Sequence, residues 1–231
     1  MRPNHRVERS LVEEGFELVA GLDEVGRGAW AGPVSVGVVV YPGRVRAPKD
    51  LRDSKMLTEE RREALFPLVT EWCTDWSVGH ADPVECDRLG MTAALRLAAR
   101  RALAGLASVP HIVVMDGGHD YVSEPKEPSE PSPGQGPPGP GWPRDAAPLA
   151  VPPIRTVIKG DAKCVSIAAA SIVAKVTRDR MMRGLSVSFP AFDLDRNKGY
   201  PSPTHRTALA GFGLTSLHRR SWSYVDDLAF R

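Results

Sequence analysis

Cysteine is scarce in this chain. Of its 231 residues only Cys73, Cys86 and Cys164 carry a thiol. They are far apart, odd in number and form no Cys-x-x-Cys pair. That leaves no disulfide framework or zinc site to read, and reduced structural thiols are the expectation. Long apolar runs are missing too. No stretch approaches the ~18 residues that mark a membrane-spanning helix. Met1–Glu14 carries charges throughout and lacks the apolar core of a secretory signal. A cytoplasmic protein without membrane association is therefore expected. An excess of one charge sign is also absent. The net charge of +2, from 30 Lys and Arg against 28 Asp and Glu, does not announce a nucleic-acid partner. Any basic face has to come from local clustering.

What is present is ordinary globular material, 42% hydrophobic and 25% charged, long enough to bury a substantial core. It is organised around residues 18–33. An apolar run leads to Asp23-Glu24, then to Gly26-Arg27-Gly28, and Pro33 precedes the apolar stretch Val34–Tyr41. That order predicts a strand, a glycine-rich turn and a returning strand. Neighbouring side chains on a strand face opposite ways, so Asp23 and Glu24 cannot share one core. At a strand end they can straddle the edge and flank a hard cation such as Mg²⁺ or Mn²⁺. An isolated acidic pair is more often a solvated turn. Here the two glycines permit close approach of a ligand to the backbone, and Arg27 offers a donor fork for phosphate.

Farther along, Asp53-Ser54-Lys55 lies in a loop, and Thr58 is placed to cap a helix reaching about Thr70. Trp72–His80 reads as a third, edge-like strand. Asp82 or Asp87 then opens a long helix predicted over Arg88–Ala107. His111–Met115 is a continuous apolar run ending at Asp116, as a strand buried on both faces does. Ligands gather at such carboxyl ends of parallel strands. From His119 to Pro152 periodicity disappears, and ten of the 21 prolines fall there. This is expected to be a disordered insert within the domain. Order resumes with Ile154–Ile158, which runs into Lys159-Gly160-Asp161. A small-residue helix follows, with Lys175 and Asp179 spaced to pair on one face. Lys198-Gly199-Tyr200 sits in a turn-rich loop. Short helices near Thr204–Leu209 and Tyr224–Phe230 complete the chain. His205 and His218 read as isolated surface or packing residues.

Asp23, Glu24, Asp116 and Asp161 thus all fall at or near predicted strand ends. Four carboxylates in one place raise one another's pKa unless cations neutralise them, which is what two-metal phosphodiester hydrolysis requires. Gly21–Gly28 (GLDEVGRG), Asp53-Ser54-Lys55, Met115-Asp116-Gly117, Lys159-Gly160-Asp161, Ser166–Asp179, Lys198-Gly199-Tyr200 and His218–Ser221 follow one another in order. Together they resemble bacterial ribonuclease HII, the type-2 ribonuclease H, across most of residues 17–222 apart from the insert.

The resemblance implies an α/β ribonuclease H-like fold: a mixed five-stranded sheet flanked by helices, plus a small helical C-terminal segment over 189–231. One catalytic domain spanning 1–231 is expected, with the disordered insert at 119–152 within it, working as a monomer. The implied activity is an endonuclease that cuts the RNA strand of RNA–DNA hybrids. It also incises duplex DNA 5′ to single embedded ribonucleotides, leaving 5′-phosphate and 3′-hydroxyl ends, with Mn²⁺ or Mg²⁺. Asp23, Glu24, Asp116 and Asp161 match the family's metal-binding acids. Gly26, Arg27 and Gly28 match the segment gripping the ribonucleotide around its 2′-OH, and Tyr200 the tyrosine sensing the RNA–DNA junction. Lys55 is expected to contact phosphate. Ala29-Trp30, Pro201-Ser202 and Trp222 depart from the family's usual residues. Two other classes remain: a metal-dependent nuclease of the same fold acting on another nucleic acid, and a non-catalytic hybrid-binding protein.

Overall fold

A computed structural model describes residues 2–123 and 151–226. Most of the Pro/Gly-rich insert expected at 119–152 lies outside them, as do residues 227–231. Five strands form one sheet: β1 (Val19–Val25), β2 (Val34–Val40), β3 (Asp75–Ala81), β4 (Ile112–Asp116) and β5 (Ile154–Val157). Their order is β3-β2-β1-β4-β5, with β1–β2 and β2–β3 antiparallel and β1–β4 and β4–β5 parallel. The mixed five-stranded sheet expected from the sequence is present.

Alternation along the strands sorts the core into two layers. Val19 of β1 and Ile112 and Val114 of β4 face one way, toward α1 (Arg6–Glu13), α2 (Glu59–Trp72) and the long α5 (Val165–Ser186). Ala20, Leu22, Val113 and Met115 face the other way, toward α3 (Pro83–Leu89) and α4 (Met91–Ala104). Glycine lets the helices lie hard against the strands. A Cβ on Gly21 would stand 2.2 Å from the Ser166 carbonyl carbon of α5, and one on Gly79 would stand 2.1 Å from the Ala98 oxygen of α4. Those contacts are with helix backbone, which cannot step aside.

The single helix expected over Arg88–Ala107 is two. Asp82 opens α3 with a reciprocal capping box to Glu85, and Gly90, at φ 74°, ends it before α4 begins. An L residue with a side chain rarely takes that backbone conformation, so the glycine breaks the helix. The last expected helix is, within the described residues, one 3₁₀ turn at Ser223–Val225. A third apolar cluster gathers Ala31, Met182, Phe192, Leu209 and Tyr224 with α6 (Leu194–Asn197) and α7 (Pro203–Phe212).

Candidate active site

β1 and β4 run parallel with Leu22 opposite Met115, so Asp23 and Asp116 are the next residues of each strand and share the α5 face. Glu24 falls on the α4 face, where the Tyr121 hydroxyl donates to its Oε2 at 3.1 Å. The pair straddles the sheet, as the alternation of a strand demands. Asp116 also accepts from the Gly160 amide at 2.7 Å, which ties β4 to the 3₁₀ turn carrying Asp161.

Burial, then the charges of Glu24 and Asp116, push the Asp23 carboxyl well above the usual range, with Lys55 opposing them. Asp161 is raised by burial, then by Asp116 and Asp53. For Lys55, burial pulls downward, but Asp23, Asp53, Asp161 and Asp116 outweigh it and hold the ammonium more firmly protonated. Lys55 is placed by its loop. The Ser54 amide donates to Ser171 Oγ of α5 at 3.0 Å, the Asp53 carboxylate accepts from the Lys55 amide, and Arg62 bonds the Ser54 and Leu57 carbonyls. Asp179, buried beside Arg62 at 3.6 Å, also takes the Lys175 ammonium at 2.6 Å, so the expected helix-face pair forms and braces this loop.

Among the described residues no three Asp, Glu, His or Cys groups stand close enough to cage an ion as the side chains lie. The donor set is nonetheless all oxygen and mutually repelling. Its chemistry fits a hard divalent cation, whose charge would relieve that repulsion.

Beside the acids stands the Gly26-Arg27-Gly28 turn. Two fully buried arginines hold it. Arg219 donates to the carbonyls of Gly26 (2.7 Å), Arg27 (3.0 Å) and Gly32 (3.1 Å). Arg178 donates to Pro33 (2.8 Å), Ala31 (3.1 Å) and Lys198 (2.8 Å), so it joins the turn to the Lys198-Gly199-Tyr200 loop. The Gly199 carbonyl accepts from the Trp30 amide at 2.8 Å. A Cβ on Gly199 would meet the Ala31 oxygen at 2.2 Å, so the two loops touch backbone to backbone. Tyr200 presents its ring edge 3.9 Å from where a Gly28 Cβ would be. The Arg27 side chain is two-thirds exposed, 3.9 Å from Glu24. Acids, glycine turn and tyrosine therefore form one continuous surface.

The family model for ribonuclease HII matches residues 20–225. The chain belongs to the ribonuclease HII family. Membership makes it a hydrolytic endonuclease of the ribonuclease H kind. A ribonuclease HII of Streptomyces avermitilis is 48% identical over 227 residues, covering 98% of this chain and 86% of that protein. The crystal structure of ribonuclease H2 from Pyrococcus horikoshii superposes with a TM-score of 0.68 at 26% identity, covering 91% of this chain and 96% of the other. Bst ribonuclease HIII, solved in complex with Mn²⁺, shares the fold at a TM-score of 0.59 and 17% identity, covering 90% of this chain and 68% of its own.

Several ribonuclease HII residues that shape this surface escape a reading of the sequence. Tyr121 sits at the start of the proline-rich stretch, where composition points to disorder, yet it is buried against the α4-side core. Burial and the Glu24 and Asp23 charges raise its hydroxyl well above its ordinary value, so it remains a donor to Glu24. Arg178 and Arg219 lie within recognised motifs, but nothing in the spacing says that their partners are carbonyls. The unusual residues also cluster. Trp30 stacks on Tyr224 at 4.2 Å between ring centres, Trp222 lies under Arg219, and Ser202 caps α7.

Proposed function

We propose that this ribonuclease HII cuts the RNA strand of RNA–DNA hybrids and nicks duplex DNA on the 5′ side of a single embedded ribonucleotide, leaving 5′-phosphate and 3′-hydroxyl ends. One observation carries the reading. Asp23, Glu24 and Asp116 stand near the ends of their strands beside a backbone turn locked by a buried arginine, and the Tyr200 ring edge lies against that turn.

Asp23, Glu24, Asp116 and Asp161 would hold the divalent cations, Mn²⁺ or Mg²⁺. Such ions, when bound, supply Lewis-acid charge at the scissile phosphate and ease deprotonation of the attacking water. The remaining tasks belong to the chain. Gly26, Arg27 and Gly28 bring backbone and guanidinium up to the ribose, whose 2′-OH is the group that separates RNA from DNA. Holding that turn rigid means a deoxyribose leaves its donors and acceptors unmatched, and the loss becomes discrimination. Tyr200, whose ring edge lies beside Gly28, stacks on the sugar that follows the ribonucleotide. Lys55, drawn to the acids, meets the phosphate at the cut and offsets its charge.

The test uses a labelled duplex with one ribonucleotide, an all-DNA duplex and a long RNA–DNA hybrid, each with Mn²⁺, Mg²⁺ or chelator. Metal-dependent nicking 5′ to the ribonucleotide, with all-DNA untouched, is the expected result. Cleavage of the hybrid alone would withdraw the junction roles of Arg27 and Tyr200. Cleavage of all-DNA would move the enzyme to another nucleic-acid substrate.

A further inference from the structure

His205 and His218, thirteen positions apart, are not isolated. Both are buried, and their Nε2 atoms stand 3.0 Å from each other. The outer nitrogens settle where the protons are. The Thr215 backbone N–H donates to His218 Nδ1 at 3.1 Å, so that nitrogen carries no proton and His218 is the neutral Nε2–H form. At the far end, His205 Nδ1 lies 3.0 Å from the Tyr200 carbonyl, which can only accept, so His205 carries its proton on Nδ1. Its Nε2 is then the acceptor that the His218 N–H needs. A single assignment satisfies every contact. Direction runs one way, from the Thr215 amide through His218 and His205 to the Tyr200 carbonyl.

We infer that His205 and His218 are positioning residues for Tyr200: this directed relay fixes the tyrosine's backbone and hence where its ring stands beside Gly28. The inference rests on the reading of Tyr200 as the residue facing the junction. The Tyr200 amide is fixed as well, donating to the Asn197 carbonyl at 2.9 Å, so the residue is held at both its N–H and its C=O. Pro201 follows and stiffens the exit. Phe192 packs 4.9 Å from the His218 ring and Trp30 6.0 Å from the His205 ring, which keeps water off the pair. The charged and titratable neighbours are Arg206 over the Trp30 ring, Arg219 and Arg220 on the His218 segment, Tyr224 stacked on Trp30, and Asp87, which accepts from the Arg220 amide. Burial, then the His205 ring and Arg220, two residues on, oppose a second proton on the His218 ring.

The full-length protein labelled with ¹⁵N-histidine decides the matter near neutral pH. Long-range proton–nitrogen spectra are expected to show an Nδ1–H tautomer for His205, an Nε2–H tautomer for His218, and coupling across the Nε2 pair. Either ring in the opposite tautomer, or charged, overturns the relay without reference to activity. In parallel, kcat/KM is measured on the single-ribonucleotide duplex and on a long hybrid for wild type, His218→Leu, His218→Gln and Tyr200→Ala. Breaking the relay is expected to shift the ratio of the two substrates about tenfold, as loss of one buried hydrogen bond does. His218→Gln, whose amide N–H replaces the lost donor, is expected to restore most of it. A His218→Leu ratio equal to wild type, where Tyr200→Ala moves it, overturns the positioning role. An unmoved ratio in Tyr200→Ala instead overturns the junction reading of Tyr200, and the tautomers then judge the relay alone.

Discussion

The two halves of the candidate site are built on opposite terms. At the acid end of the sheet, Asp23, Glu24, Asp116 and Asp161 crowd charges of one sign, with Lys55 as the cation among them. At the Gly-Arg-Gly turn, guanidiniums meet backbone oxygens one by one, and the loops interlock through those bonds. The first half stores unfavourable electrostatics that a bound cation relieves. The second stores the cost of two buried guanidiniums, offset by the carbonyls they bond, and is already in its working shape. Cleavage and selectivity therefore respond differently to mutation, and the contrast can be attacked from either side.

The largest effect is expected on the acid side. Asp23→Asn removes a buried charge that its neighbours resist, so folding stability should rise by ~1 kcal/mol or more while the site loses a cation ligand. Cleavage should fall on the order of 10³-fold. Thermal melts without metal and turnover with Mn²⁺ check both signs. A variant that melts lower and still turns over would show that the acids are not in tension and that the cation sits elsewhere.

The opposite pattern is expected beneath the turn. Arg178→Met leaves the carbonyls of Ala31, Pro33 and Lys198 buried without their donors. At roughly 1–3 kcal/mol for each orphaned group, the loss of stability should be about 3 kcal/mol or more. Selectivity for the lone ribonucleotide should drop further than cleavage of a long hybrid, since the acids are untouched. Equal losses on both substrates would mean that the turn and the acid end are not separable.

Much of the acid half was legible in the sequence, because Asp23, Glu24 and Asp116 come at the ends of apolar runs and Asp161 follows a short strand through Lys159-Gly160. The alternation rule even placed Asp23 and Glu24 on opposite faces. The turn's own residues were legible too, through the Gly-Arg-Gly spacing. What supports them was not. Arg178 reaches Pro33 across 145 positions and Arg219 reaches Gly26 across 193, and a carbonyl partner leaves no mark on residue type. The same holds for His205 and His218, which belong to α7 and to the segment after it and meet only through the fold. Gly90 carried a legible signal, a glycine inside a helical pattern, but the run of arginines and leucines around it masked the break.

A smaller effect separates reading from support. Arg27 is exposed and bears on the turn only through its backbone carbonyl, which any residue supplies. Arg27→Ala should change stability by less than about 0.5 kcal/mol, yet reduce selectivity for the ribonucleotide about tenfold. Set beside Arg178→Met, it tests whether selectivity can be lost with the fold intact. Unchanged preference in Arg27→Ala, measured on the same pair of substrates, would assign the reading to the backbone alone.

The smallest effect on cleavage is expected from a pH dependence of stability confined to the preorganised half. Burial holds both histidines below the ordinary value of 6.5, His218 down to about 4. The unfolded chain therefore takes up protons that the folded chain refuses. The pair's contribution is fully present above pH 6.5 and is lost as pH falls toward about 4. Below that the folded rings protonate as well and the loss levels off. Placing two N–H groups face to face at 3.0 Å is what the fold resists. The loss from His218 should be about 3 kcal/mol, and the difference in denaturant midpoint between wild type and His218→Gln isolates it from the carboxylates that titrate lower. A difference that stays flat from pH 7 to pH 4 would mean that the histidines already share a proton at neutral pH, and the relay would then carry charge after all.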